Sequence, residues 1–527
     1  MHNLLTDPLI QVRPVVGKPM AMSLPEIFET ASTDEVATFP ALRPHQRHAW
    51  HAFLAQLGTI AVQQAGLAEL PCAASEWRIL LRGVTPDFDD DAPWRLVVDD
   101  PAKPAFMQCP AGSAFNQYRR RVATPDDLDL LVTSKNHDVK QAVARASAPE
   151  DWVFALIDLQ TMAGFLGAGN YPIARMNGGF SARPCLGLAP SAGGFGAHVF
   201  HDLRRMLEDR PQLLERLPDY YRPEGGTALL WTVPWDGTTS TDLGDLDPYF
   251  IEISRRVRLC IEDRRLVAKT AGSKKSRVAA KAAHGNVGDF WTPVSRGATK
   301  ALSISGAGFR YDRLNTLLFD GTAYDLPPAM TVSATTKKRW RVVARGMAGG
   351  QGKTDGYHER NDIVLTSRVA TAFGRKEERD ELAAINSALL EEVAEVSRAL
   401  RLGIAVAASG GKLLADLSKS DRTYARPYAR RFDTWVDPRF FGAVERRFVA
   451  GSQAATRRER ASFAQEMMAA AGAVLAEAVE SVPCPAIRRH RARARAFSAF
   501  YGSLRGTRSV FGDQPEIFSR REPSHVE

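Results

Sequence analysis

Residues 345–360 read Arg-Gly-Met-Ala-Gly-Gly-Gln-Gly-Lys-Thr-Asp-Gly-Tyr-His-Glu-Arg. Five of these sixteen residues are glycine, and glycine loses the most backbone entropy on ordering, so we predict an irregular loop instead of a helix interior or a strand. Gln351, Lys353 and Thr354 are expected at the tip of this loop. Basic residues lead into it: Lys337, Lys338, Arg339, Arg341 and Arg345. A close backbone approach combined with positive charge suits a phosphate group or a nucleic-acid backbone.

The triplet Gly352-Lys353-Thr354 also matches the end of a nucleotide-binding P-loop. That motif needs a glycine five residues before Gly352, but position 347 is methionine and Gly346 is one residue too early. A basic segment precedes the loop where an apolar parallel strand is expected. Nucleotide hydrolysis is therefore the weaker interpretation, and a solvated surface loop without a function is a second alternative.

The composition predicts a globular protein with more than one domain. The chain has 527 residues, of which 44% are hydrophobic and 24% charged. Its net charge of +9 favours an acidic partner such as nucleic acid. The five cysteines show no Cys-x-x-Cys pair, which indicates reduced thiols of a cytoplasmic protein without a metal site or disulfides. Neither a signal peptide nor an apolar run long enough for a membrane span is evident.

The chain is predicted to change character near Arg368. Before it, helix and strand signals alternate. After it, apolar residues recur at spacings of three and four over Leu382–Leu400 and again over Phe463–Ala478, which predicts amphipathic helices. We therefore predict an α+β protein, with a large mixed α/β N-terminal domain over residues 1–368 and a C-terminal antiparallel helical bundle over residues 369–527.

Two further polar segments are candidates for binding. Lys135, Asn136 and His137 place hydrogen-bond donors on a predicted polar turn, as a nucleic-acid contact requires. Asn177-Gly178-Gly179 is a turn signal in which positive φ angles are available. It predicts either a tight hairpin or a close backbone approach to a ligand.

A third segment is strongly basic. Phe250–Ile261 alternates enough to predict one strand, and it leads into Arg264–Lys281, where seven residues are basic and none is acidic. Such a charge run usually indicates a solvated, mobile segment. A single sign of charge also fits an electrostatic track for phosphates.

The ordered set of motifs resembles the CasA family, the large subunit of the type I-E CRISPR Cascade complex. The resemblance rests on Asn3–Arg13, Phe106-Met-Gln108, Asn177–Phe180, the glycine-rich stretch that ends in Tyr357-His-Glu-Arg360, and the closing helical bundle. Their order and spacing span nearly the whole chain. The cysteine cluster of some members is absent.

The resemblance implies a non-catalytic, cytoplasmic subunit that needs no cofactor and no metal. Members of this family recognise the protospacer-adjacent motif as duplex DNA, mainly from the minor-groove side, and then open the duplex so that guide RNA can pair with the target strand. The implied partners are target double-stranded DNA, the CRISPR RNA-containing Cascade subunits (backbone, small and RNA-end-binding), and a helicase–nuclease. No membrane is implied.

The resemblance also implies particular site residues. Its glycine loop corresponds to Asn177, Gly178 and Gly179, its basic finger to Arg255 or Arg256, and its glutamine wedge to residues 349–355. A count back from Glu359-Arg360 places Thr354 opposite the wedge glutamine, so Gln351, Lys353 and Thr354 are considered jointly. A DNA-contacting loop corresponds to Lys135, Asn136 and His137. The alternatives are an NTPase or nuclease that uses Gly352-Lys353-Thr354, and a purely structural scaffold.

Overall fold

The computed structural model describes residues 2–129, 147–333, 335–350, 353–506, 509–512 and 515–518. Contacts between backbone positions divide the chain into two units. The first unit comprises Met1–Phe309 and Thr322–Val364, and the second comprises Arg310–Gly321 and Leu365–Glu527. The predicted α+β class is confirmed, since strands and helices mix in the first unit and helices dominate the second.

Six helices are described for the first unit: α1 (Leu24–Ser32), α2 (Arg47–Gln64), α3 (Ala74–Gly83), α4 (Pro125–Asp129), α5 (Pro149–Met162) and α6 (Phe195–Arg216). Its first nine described strands are β1 (Ile10–Pro14), β2 (Met20–Met22), β3 (Val36–Thr38), β4 (Arg120–Val122), β5 (Cys185–Pro190), β6 (Thr227–Leu229), β7 (Leu246–Ile251), β8 (Arg256–Glu262) and β9 (Arg265–Ala271). Five more follow: β10 (Val294–Ser295), β11 (Lys300–Ala301), β12 (Tyr324–Asp325), β13 (Trp340–Gly350) and β14 (Lys353–Arg360). A short strand, β15 (Val364–Leu365), lies at the boundary between the units.

Helix α2 lies in the centre of the first unit's hydrophobic core. It is buried on nearly every side because most of its residues are apolar or small, which is typical of a helix surrounded by other elements. It packs against α3, α5, α6 and β7. Trp50 and Phe154 meet edge to face at a centroid distance of 5.2 Å and join α2 to α5.

The sheets of the first unit are small. β2, β1 and β3 form one antiparallel sheet, and β4, β9 and β8 form another. β11, β10 and β12 form a third sheet, and β6 pairs with β7 in parallel. β13 lies between β5 and β14 and pairs antiparallel with both.

The prediction of an irregular loop over residues 345–360 is wrong, because this stretch forms most of the β13–β14 hairpin. Two of its glycines, Gly346 and Gly349, lie where other chain segments approach closely. A Cβ on Gly346 would lie 2.8 Å from Ile304 Cδ1 and 3.3 Å from Pro184 Cα. Cross-strand hydrogen bonds and this packing outweigh the backbone entropy that glycine loses in a strand. The two residues between the strands, Gln351 and Gly352, lie outside the described residues.

The basic segment Arg264–Lys281 is ordered over much of its length, and its description as a solvated, mobile run is wrong there. Residues 265–271 form β9, which pairs with both β4 and β8. Arg277 is only 4% exposed and donates to the carbonyl oxygens of Leu230 and Val233. The single strand predicted over Phe250–Ile261 is instead the end of β7 and the start of β8.

The second unit is helical. Its described helices are α7 (Tyr311–Phe319), α8 (Ser367–Ala372), α9 (Lys376–Ala408), α10 (Lys419–Thr423), α11 (Ala425–Val436), α12 (Phe440–Val449), α13 (Gln453–Ser481) and α14 (Arg489–Arg505). The long helix α9 contacts every other helix described for this unit. Glu392 on α9 is buried and accepts hydrogen bonds from Arg447 Nη2 and Arg460 Nε, each at 2.7 Å.

The domain prediction placed Arg310–Gly321 in the N-terminal domain and the boundary after residue 368. In the structure this segment belongs to the second unit, and the boundary follows Val364. The Tyr311 ring lies 5.0 Å from the Phe440 ring, and the Tyr311 amide donates to Asp437 Oδ1 at 2.7 Å. A segment that belongs to a different unit from its neighbours in the sequence gives no signal in the local spacing of apolar residues. No helix of the described residues has the length and apolarity needed to cross a bilayer.

Candidate nucleic-acid interface

Asn177, Gly178 and Gly179 form a tight turn held by the Asn177 side chain. Asn177 Oδ1 accepts a hydrogen bond from the Gly179 amide at 2.9 Å, which closes the turn. Asn177 Nδ2 donates to the Ala301 carbonyl at 2.7 Å and to Ser303 Oγ at 3.0 Å, which anchors the turn to the chain after β11. The sequence suggested a hairpin here as one alternative, but residues 177–179 belong to no strand.

Both glycines suit this geometry. Gly178 has a φ of +85°, which a side chain strongly disfavours. A Cβ on Gly179 would lie 2.9 Å from Asn177 Oδ1 and 3.2 Å from Ser303 Oγ. Gly178 is exposed, and nothing lies within 4 Å of the position its Cβ would take. The turn therefore presents bare main chain at the surface of the first unit.

The β13–β14 hairpin packs directly against the chain that leaves this turn. The Ala182 amide donates to the Met347 carbonyl at 3.0 Å. A Cβ on Gly349 would lie 2.5 Å from the Phe180 carbonyl oxygen, so glycine is needed for this approach. β14 pairs with the opposite edge of β13, since Ala344 and Arg345 pair with both β5 and β14, so β13 separates the start of β14 from this segment. The structure thus places the chain that leaves the turn against β13, two residues before Gln351.

We call the surface formed by Asn177–Phe180 and the described part of the hairpin end, Gly349, Gly350 and Lys353–Asp355, the turn–hairpin surface. Phe180 belongs to it, although the sequence pattern did not single it out as a candidate site residue. Its side chain is 38% exposed, and its ring lies 6.0 Å from that of Phe165. An exposed aromatic ring beside bare main chain can stack on a base. The exposure of Phe180 is known only from the structure, so the sequence alone does not indicate this role.

The third candidate tip residue, Gln351, lies outside the described residues, and for Lys353 and Thr354 only the backbone is described. Both begin β14 in an antiparallel hairpin. A P-loop instead needs a parallel strand, a glycine-rich loop and then a helix whose N-terminus faces the phosphates. The local fold therefore disfavours nucleotide binding by Gly352-Lys353-Thr354.

Arg255 and Arg256 are both buried in the described conformation. The Arg255 guanidinium donates to the carbonyl oxygens of Tyr171 and Gly164, and burial lowers its pKa to about 9. Arg256 Nη1 donates to Gln117 Oε1 at 2.9 Å and to the Gly272 carbonyl at 3.0 Å. A direct DNA contact by either residue would require its side chain to leave these partners. The other predicted contact, Lys135, Asn136 and His137, lies outside the described residues.

The basic residues leading into the hairpin divide into two groups. Arg345 Nε donates to Glu359 Oε1 at 2.9 Å across the β13–β14 pair, and Arg47 Nη1 donates to Glu359 Oε2 at 3.2 Å. Burial opposes ionisation of Glu359, but the two arginines outweigh it and hold the pKa of Glu359 below its ordinary value. Lys337, Lys338 and Arg339 are exposed. The positive charge that a partner could reach thus lies in the three residues directly before β13.

A cavity of about 470 Å³ opens beside the turn. Its lining is largely apolar, with Phe165, Tyr171 and Met176 among its walls. Asn177 and Lys281 contribute polar atoms at its edge. The arrangement offers aromatic faces next to hydrogen-bonding groups, which is a chemistry suited to planar ligands.

Among the described residues, two groups carry the donor atoms that a metal ion would use: His51, His198 and Asp202, and His45, Asp129 and Asp158. In the first group, Asp202 Oδ2 accepts from His51 Nε2 at 2.8 Å and from Trp291 Nε1 at 2.7 Å. In the second, Asp129 Oδ2 accepts from His45 and Gln46. These hydrogen bonds to Oδ2 give both groups a structural role. The other oxygen, Oδ1 of Asp202 and of Asp129, is buried without a hydrogen-bond partner among the described residues.

The family assignment follows from comparison of the whole chain. The sequence profile of the family described as CRISPR-associated protein Cse1 matches residues 3–480. The chain belongs to the Cse1 family. This family is the large, structural subunit of the type I-E Cascade surveillance complex, as the resemblance implied. Among curated proteins there is no significant sequence match.

Solved Cse1 structures share the fold of this Cse1-family chain. The Cse1 of Acidimicrobium ferrooxidans is 15% identical with a TM-score of 0.61, and the match covers 96% of this chain and 98% of that one. The Cse1 of Thermobifida fusca is 17% identical with a TM-score of 0.59, covering 95% and 97%. A chain of a CRISPR RNA-guided surveillance complex is 13% identical with a TM-score of 0.57, covering 95% and 99%. At these identities the structural matches show the Cse1 fold and leave residue roles open.

Proposed function

We propose that this Cse1-family chain recognises the protospacer-adjacent motif in duplex DNA through the turn–hairpin surface. The observation that supports the proposal is the packing of β13, at Met347 and Gly349, on the chain that leaves the Asn177 turn. The candidate wedge residues begin two positions after Gly349 in the chain. In this proposal the Gly178 peptide enters the minor groove. Gln351, Lys353 and Thr354 then press between base pairs at the motif's edge and start strand separation for R-loop formation.

The physical chemistry of the minor groove supports this assignment. The groove is narrow and mainly distinguishes A·T from G·C pairs, so a reader there needs few contacts. A main chain without side chains fits such a groove more deeply than one carrying Cβ atoms. Unstacking a base step costs a few kcal/mol, which phosphate contacts offset. Exposed Lys337, Lys338 and Arg339 supply positive charge before the hairpin.

The proposal assigns no catalysis to the chain. Guide RNA in the other Cascade subunits reads the target strand, and a recruited helicase–nuclease degrades the DNA. The antiparallel hairpin at Lys353 and Thr354 supports this division of labour, since it lacks the strand–loop–helix order of an NTPase site. The contacts of Lys135, Asn136 and His137 with DNA, and of Arg255 or Arg256, stay predictions.

The test is the double substitution Gln351→Ala and Lys353→Ala in the assembled complex. We expect weaker binding of motif-bearing duplex in a gel-shift titration, and little change for a target supplied with its motif already unpaired. The matched control is Lys18→Ala with Gln64→Ala, which removes the same two residue types from exposed positions of the first unit.

Unchanged affinity for the motif-bearing duplex would contradict the assignment of the hairpin tip. A complex that finds its DNA equally well without this chain would favour the scaffold alternative. ATP turnover by the purified chain that is lost in Lys353→Ala would favour the NTPase alternative.

A further inference from the structure

A strongly basic groove crosses the second unit, separate from the turn–hairpin surface. It has a volume of about 720 Å³, and its lining residues come from α9, α10, α11 and the residue before α7. Five of them are exposed cations: Arg401, Lys419, Arg422, Arg426 and Arg430. Asp433 is the one acidic residue in the lining. A neighbouring cavity of about 530 Å³ shares Arg310, Arg401 and Asp433 and extends the groove along α9.

Three of these cations form a row along α10 and α11. Arg426 and Arg430 are four residues apart on α11, so their side chains share one helix face. Arg422 lies four residues before Arg426, on α10, and Tyr424 separates the two helices. Ala425 and Ala429 are buried between them and leave room at the groove floor. Like charges at this spacing oppose helix stability, so folding alone does not explain the row.

Within the described part of the chain, none of the five exposed groove cations lies within salt-bridge distance of a carboxylate. Other arginines of the same unit do. Arg431 binds Glu477 with both terminal nitrogens, at 2.6 and 2.7 Å. Arg446 pairs with Glu459 at 3.1 Å, and Arg493 pairs with Glu480 at 2.7 Å. The groove therefore carries an excess of positive charge, with Asp433 as the one carboxylate in its lining.

We propose that this groove binds the phosphate backbone of a nucleic-acid strand. Guanidinium groups match phosphate oxygens in geometry and stay charged at all physiological pH values. A row of three arginines, faced by a cation of α9, suits a repeating polyanion better than one isolated phosphate. The groove is a site of its own and does not depend on motif recognition by the turn–hairpin surface.

The experiment compares two triple variants of the full-length chain by fluorescence anisotropy. The groove variant carries Arg422→Ala, Arg426→Ala and Arg430→Ala. The matched control carries Arg431→Ala, Arg446→Ala and Arg493→Ala, which removes the same charge from already paired positions. The probes are one labelled oligodeoxynucleotide as a single strand and as a duplex, each titrated at several salt concentrations.

We expect the slope of log affinity against log salt to fall in magnitude by about 2 for the single strand, or by about 3 for the duplex, in the groove variant. The probe whose change in slope reaches its own expected value identifies which form occupies the groove. The control should keep the wild-type slope. The same loss should appear in a Gln351→Ala, Lys353→Ala background, which separates this site from the proposed motif site.

Wild-type binding by the groove variant, or an equal loss in both triples, would overturn the proposal. So would a groove variant that binds both probes normally but no longer joins the complex, because the occupant would then be an acidic protein surface. Melting temperatures check folding, and an Arg→Lys triple at the same positions should keep most of the slope. If the lysine triple melts normally but its slope of log affinity against log salt falls as far as that of the alanine triple, positive charge does not account for binding in the groove and the proposal fails.

Discussion

Replacing Gly349 with alanine tests the packing on which the candidate interface depends. The new Cβ would lie 2.5 Å from the Phe180 carbonyl oxygen, where ordinary contacts begin at 3.4 Å, so about 0.9 Å must be gained by moving one backbone away from the other. Overpacking of this kind costs about 1–3 kcal/mol. Alanine also restricts the unfolded chain, which stabilises the protein by about 0.4–1 kcal/mol. We expect a net loss of about 1–2 kcal/mol in the free energy of unfolding.

Gly244→Ala is the matched control in the same unit. Gly244 lies in a short helical turn and is exposed, with nothing within 4 Å of the position its Cβ would take. Only the effect on the unfolded chain remains, so this variant should gain about 0.4–1 kcal/mol. The two substitutions should therefore change stability in opposite directions.

Urea denaturation measures both effects, and gel-shift titration of the assembled complex measures binding of motif-bearing duplex. Gly349→Ala should bind this duplex more weakly, because separating the backbones moves the hairpin end away from Phe180. A gain in stability for Gly349→Ala would refute the packing. A loss of stability with unchanged duplex binding would leave the packing intact but refute the role of the turn–hairpin surface in recognition.

Two further predictions concern buried charge. Burial, with a smaller contribution from Arg345, lowers the pKa of His48 to about 3. Between about pH 6.5 and 3 the unfolded chain therefore binds a proton that the folded chain does not. As the pH is lowered through this range, the free energy of unfolding should decrease by up to about 1.4 kcal/mol per pH unit. His48→Gln should reduce this slope in urea denaturation at several pH values while His284→Gln, at an exposed position, should not; equal slopes would contradict the assignment. Arg447→Met should destabilise the second unit by about 3–5 kcal/mol, because it leaves the buried Glu392 carboxylate with one of its two arginine partners. Thermal unfolding should show partial recovery when Glu392→Gln is added, and no recovery would count against this ion-pair explanation.

The candidate interface was only partly accessible from the sequence. Asn177-Gly178-Gly179 forms a turn for reasons that lie within these three residues: the Asn177 side chain closes the turn, and Gly178 allows a positive φ angle. Interactions between neighbouring residues of this kind can be predicted from the sequence. The partners that fix the turn, Ala301 and Ser303, lie more than a hundred residues away, and no local pattern indicates them.

The basic residues show the same limit. From the sequence, Arg255, Arg256 and Arg277 are predicted to offer charge to a phosphate, but their guanidinium groups are buried and donate to main-chain carbonyls inside the fold. Arg422, Arg426 and Arg430 were not predicted to be binding residues from the sequence, yet they line an open groove. Composition counts charges, whereas burial decides which of them a partner can reach.

Periodicity and an ordered set of motifs predicted the α+β class, the helical C-terminal region and the family without coordinates. The hairpin in the glycine-rich stretch and the membership of Arg310–Gly321 in the second unit became evident from the folded chain. Glycine disfavours strands in isolation, and that preference is reversed when neighbouring backbones come too close for any side chain. This reversal depends on residues distant in sequence, so it can be read only from the folded chain.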